Sequence, residues 1–84
     1  MPYIKEDSRK IFDKQIENLV EVIDKPGELT YCLYSIFKKL TERNKKFSTI
    51  SSIIGEIECA KLEFYRRIVS PYENTKIREN GDIE

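Results

Sequence analysis

Ile50-Ser51-Ser52-Ile53-Ile54-Gly55-Glu56-Ile57-Glu58-Cys59-Ala60-Lys61-Leu62-Glu63-Phe64-Tyr65-Arg66-Arg67-Ile68-Val69 is the stretch on which the fold turns. Ile50, Ile53, Ile54, Ile57, Ala60, Phe64, Tyr65 and Ile68 recur at three and four residues, the period of one broad helix face. Cys59, Leu62 and Val69 lie off that face, so the helix is apolar over more than half its circumference. Such a helix is expected to be central and to touch two neighbours. Gly55 stands on the second face, near Ser51 and Cys59. Glycine inside a helix costs about 1 kcal/mol relative to alanine, and the expected compensation is close approach of another helix, from this chain or a second copy. Gly55, Cys59 and Leu62 are therefore the candidate helix-packing residues. Ser48 or Thr49 is expected to cap this helix, with Phe47 packing back against an apolar residue inside it.

Upstream, Phe12, Ile16, Leu19, Val20 and Ile23 define a second stripe. Asp13 is the expected cap, with a short helical turn over Glu6 to Phe12 before it. Pro26-Gly27 is expected to stop this helix. Leu29, Cys32, Leu33, Ile36, Phe37 and Leu40 form a third stripe, with Lys38, Lys39 and Arg43 at the negative end of the helix dipole. Asn44-Lys45-Lys46 reads as a connection. Downstream, Ser70-Pro71-Tyr72-Glu73 reads as a restart: serine caps, proline takes the first helical position and glutamate closes the capping box. A short fourth helix is expected from Pro71 to about Glu79, ended by Asn80-Gly81. Tyr72 and Arg66 are the residues expected to hold it.

Short connections favour antiparallel neighbours, and no alternating strand pattern appears. The expected fold is all-α: one domain over residues 1–84, a three-helix bundle with a short fourth C-terminal helix, in its looser form open and saposin-like. The third stripe has more apolar surface than two neighbours' stripes cover, which points to a homodimer or an exposed groove.

Composition excludes much chemistry. The 84 residues contain no histidine, two cysteines, and 15 basic against 15 acidic side chains. Histidine-based nucleophilic catalysis and histidine-containing metal sites are impossible, and no glycine-rich phosphate loop exists. Cys32 and Cys59 are expected to be reduced and to pack as small apolar groups; a disulfide between them is the alternative. Glu56, Glu58 and Glu63 could serve a carboxylate site, but none is part of a Glu-x-x-His pair, and a solvated face with Glu63 bonded to Arg67 is the plainer expectation. Glu58 borders the apolar face, where Lys61 or Arg66 of another chain would be its partner. No catalytic residue, metal or cofactor is expected, and the chain is expected not to be an enzyme. Zero net charge argues against whole-molecule attraction to nucleic acid, no stretch is long enough to span a bilayer, and the start carries no signal core. The expected location is the cytoplasm.

Two surfaces remain. Tyr31, Tyr34 and Lys38 lie opposite the apolar stripe of their helix, and tyrosine is favoured at interfaces; they are the candidate partner contacts. Lys38, Lys39, Arg43, Lys45 and Lys46 form a basic run able to meet phosphates. The expected function is a self-associating helical protein-interaction module. The alternative is a bundle whose open face takes a lipid or acyl chain, and nucleic-acid binding through residues 38–46 ranks below both.

Met1-Pro2-Tyr3-Ile4-Lys5, Pro26-Gly27-Glu28-Leu29-Thr30-Tyr31, Glu58 to Arg67 through Pro71-Tyr72-Glu73, and Glu79-Asn80-Gly81-Asp82 resemble a family of short prokaryotic and viral proteins of unknown function. The resemblance spans almost the whole chain, is most specific from Glu58 to Glu73 and weakest from Lys38 to Ser52. It implies a free-standing domain. It brings no activity, cofactor or catalytic residue.

Overall fold

A computed structural model describes residues 4–83. Met1-Pro2-Tyr3, the first part of the resemblance, and Glu84 lie outside them. The described residues are all-helical, without a strand. Three helices follow one another: α1 (Glu6–Val22), α2 (Glu28–Arg43), and a long last helix built from α3 (Phe47–Phe64), a π-turn (Tyr65–Val69) and α4 (Ser70–Asn80). Two units divide the chain, Met1–Asn44 and Lys45–Glu84.

In the first unit, α1 is one uninterrupted helix from Glu6, so the expected cap at Asp13 is corrected: Asp13 lies well inside it. No glycine or proline stands between Glu6 and Phe12 to interrupt the ladder, and Glu6 and Asp7 suit the positive N-terminal end of the dipole. The helix also ends earlier than expected, at Val22, with the Ile23 N–H on the Leu19 carbonyl. Gly27 takes a left-handed φ of 92°. It stands at the start of α2, not at the end of α1, because the chain must reverse there to begin a second helix. Glu28 fixes this reversal. Its carboxylate accepts the backbone N–H groups of Asp24 (2.8 Å) and Lys25 (2.9 Å). Those bonds, Asp24 first, hold its pKa below the ordinary 4.5.

In the second unit, α3 begins at Phe47 with Lys46 before it, and no side-chain cap forms. The expected caps Ser48 and Thr49 are thus inside the helix. Phe47 is 81% exposed, so it does not pack as a staple. The expected fourth helix exists, over Ser70–Asn80, but not as a separate element: Ser70 has helical angles (φ −61°, ψ −45°) and the chain runs through it. Pro71 has no N–H to give, and in a regular α-helix its ring would press on the carbonyl of Arg67. The π-turn takes up one extra residue here, and the Ser70 N–H reaches back five residues to the Tyr65 carbonyl. Gly81 (φ 82°) ends the helix as expected, its N–H on the Ile77 carbonyl at 2.8 Å.

None of these helices contains a buried residue. Ile16 is 56% exposed, Ile54 63%, Leu62 58% and Ile68 58%. The stripes read from the sequence exist, but their side chains lie open. Fully burying one such side chain is worth about 1.5–3 kcal/mol, so each stripe carries a large unspent drive to find cover.

Candidate interaction surfaces

Within the first unit, α1 and α2 bring their stripes to one groove of about 740 Å³. Phe12, Ile16 and Leu19 line it from α1, Ile36 and Leu40 from α2, with Arg9 and Asp13 among them. The Arg9 Nε donates to the Ile4 carbonyl at 2.9 Å, and Ile4 also lines the groove. A smaller groove of about 310 Å³ sits at the reversal and includes Leu19, Ile23, Tyr31 and Cys32. Tyr31 and Tyr34 are 71% and 61% exposed, and Lys38 is exposed one turn further on.

The second unit presents a different surface. Around Gly55 an added Cβ would meet no atom within 4 Å, so the close approach expected of a neighbour is not made among the described residues of this unit. Cys59 is exposed and Cys32 half-buried; both thiols are free. Neither is the buried apolar group expected of it. The basic run is shared between units: Lys38, Lys39 and Arg43 belong to α2, Lys45 and Lys46 to the next unit.

Charge on the last helix is organised by Glu63. Its half-buried carboxylate accepts from both Arg66 and Arg67, the second being the expected partner four residues on. Arg67 first, these bonds hold its pKa below 4.5. Glu58 meets Lys61 at 3.6 Å on the surface, where such a pair adds little. Among the described residues, no group of three Cys, Asp or Glu side chains converges as a metal site would need.

Sequence reasoning missed Tyr65 and Glu73. The Tyr65 hydroxyl donates to both carboxylate oxygens of Glu73, at 3.0 and 3.1 Å. That bond, with the charge of Glu73, raises the tyrosine pKa above 10.0. Residues eight apart are about 80° out of phase on a plain α-helix, whereas residues seven apart nearly stack. The extra residue of the π-turn converts the first spacing into the second. Proline at position 71 was the available signal, since the perturbation it forces lies between the two partners. Arg66 and Tyr72, expected to hold the last helix, do other things: Arg66 serves Glu63, and Tyr72 carries the Lys76 ammonium over its ring at 5.6 Å.

Fold and surfaces together define a small all-helical protein with apolar stripes uncovered in both units. No described helix is long and apolar enough to cross a membrane. The chain belongs to the family described as Domain of unknown function (DUF6899), which matches residues 1–83. No curated protein and no solved structure matches it.

Proposed function

We propose that the chain is a non-enzymatic, cytoplasmic helical interaction module that associates with a second copy of itself, and that this association closes the stripes into a bundle. The observation that carries it is the exposure of Phe12, Ile16, Ile36, Leu40, Ile54 and Leu62 on helices that contain no buried residue. A stable interface covers roughly 800 Å² and about 20–30 residues on each partner, so the stripes would be covered together with the residues that flank them. Gly55, Cys59 and Leu62 would form the close helix contact, where the free space around Gly55 admits a neighbouring backbone. Tyr31, Tyr34 and Lys38 would face a further protein.

Light scattering across a concentration series, with and without reductant, tests this. The expected result is a dimer in both conditions. Leu62→Glu should shift it toward monomer at low concentration, whereas Tyr34→Ala should leave the dimer intact. A monomer at every concentration would overturn the reading. The groove between α1 and α2 would then be assayed with a fatty acid, because its apolar lining suits an acyl chain.

A further inference from the structure

The chain twice places a glutamate two residues after a proline: Pro26-Gly27-Glu28 and Pro71-Tyr72-Glu73. At the first, the helix is broken. The Glu28 carboxylate accepts the N–H groups three and four residues before it, those of Lys25 and Asp24. Gly27 is the N-cap of α2, so this carboxylate ties down the turn ahead of the helix. At the second, the helix is continuous, and the same two groups are kept apart by one residue. The Tyr65 carbonyl accepts the Ser70 N–H, and the Tyr65 hydroxyl donates to the Glu73 carboxylate. Without Tyr65, those two groups are each other's partners three residues apart. Ser70 would supply a capping oxygen, and Pro71 would sit at the first helical position, where its missing N–H costs nothing.

We propose that residues 65–73 form a two-state joint. In one state the helix runs through the π-turn and Tyr65 holds both Ser70 and Glu73. In the other it breaks after Val69, Ser70 caps α4, and Glu73 closes the box on the Ser70 N–H. In the exchange the Ser70 N–H and the Glu73 carboxylate leave Tyr65 and pair with each other, the Ser70 hydroxyl accepts an N–H of the first turn of α4, and the Tyr65 carbonyl and phenol turn to water. The break after Val69 sets whether the apolar residues before it, Phe64 and Ile68, lie on the same rod as Ile77 after it. It thereby offers a partner two different surfaces from one segment.

Spin labels at Ser52 and Arg78, in the full chain with Cys32 and Cys59 replaced by serine, read the joint directly. Dilution with excess unlabelled chain suppresses signals between copies. The continuous helix puts the two backbones about 39 Å apart, at 1.5 Å per residue, and a right-angle break at Ser70 brings them to about 30 Å. Tyr65→Phe, which removes the phenol oxygen and keeps the ring, should raise the short-distance population several-fold over wild type. Adding Ser70→Ala to Tyr65→Phe should return the long distance, because the broken state then loses its cap. Pro71→Ala alone should give the long distance only. The proposal falls if Tyr65→Phe has the wild-type distribution, or if Ser70→Ala fails to reverse its effect. General unfolding would spread the distances in both variants and would not be reversed by a second substitution.

Discussion

Pro26 and Pro71 stand in similar local sequences and leave opposite structures. Around Pro26 the chain stops one helix at Val22 and starts another at Glu28; around Pro71 a single helix passes through. The difference lies in the next residue. Gly27 enters the left-handed region at φ 92° at no side-chain cost. Tyr72 in the same place would meet a steric penalty there, and it stays helical. Proline alone therefore does not end a helix in this molecule. Proline with glycine stands where a new helix begins, while proline with tyrosine is absorbed by one extra residue in the turn before it.

The same substitution at the two prolines should act with opposite sign. Pro71→Ala restores a backbone N–H inside a helix and no longer requires the π-turn, and is expected to gain about 1–3 kcal/mol. Pro26→Ala only frees the unfolded chain and is expected to lose up to about 1 kcal/mol. Denaturant unfolding at one fixed chain concentration measures both, since association would otherwise shift the midpoints. A loss at Pro71 would mean that the proline favours the observed helix, and the comparison would break.

The residue after each proline gives a smaller contrast. Gly27→Ala forces a Cβ into the left-handed region and should cost about 1–2 kcal/mol, although no atom lies within 4 Å to clash with it. Tyr72→Ala removes an exposed ring and one cation–π contact, so a change within about 0.5 kcal/mol is expected. Equal costs at the two positions would show that backbone conformation is not what separates the two joints.

What could be read in advance divides along the same line. The three stripes, the connection at Asn44-Lys45-Lys46 and the Gly81 stop depend on periodicity and on glycine, and all appear. The caps at Asp13, Thr49 and Ser70 do not. A capping side chain competes only where the helix is otherwise ready to stop; nothing between Glu6 and Asp13 breaks the ladder, and α3 is already under way at Phe47, ahead of Thr49. The Tyr65–Glu73 bond was out of reach because a spacing of eight has meaning only once the π-turn is known. Of the surfaces, the exposure of Tyr31 and Tyr34 was legible from their position opposite a stripe. The opening of the stripes themselves was not, because hydrophobic periodicity names the face to be covered and is silent on what covers it.

The smallest effects are those of pH, and they separate the two joints at opposite ends of the scale. Glu28 titrates below its ordinary 4.5 because the Asp24 and Lys25 N–H groups favour its charged form. Its contribution is therefore present above 4.5 and is lost as pH falls through the lowered value. Tyr65 titrates above 10.0 because Glu73 favours the protonated phenol. Its contribution is present below 10.0 and is lost as pH rises through the raised value. Glu28→Gln should flatten the acid limb of the stability profile and leave the alkaline limb alone; Tyr65→Phe should do the reverse. Both groups face solvent, so the changes will be slight, and the phenolate absorbance of Tyr65 is the more sensitive reading. In Glu73→Gln the carboxylate charge is gone and the amide oxygen still accepts, so the Tyr65 titration should move back toward 10.0. A titration unmoved by that substitution would mean that Tyr65 and Glu73 are not bonded in solution, and the second joint would have lost what holds it straight.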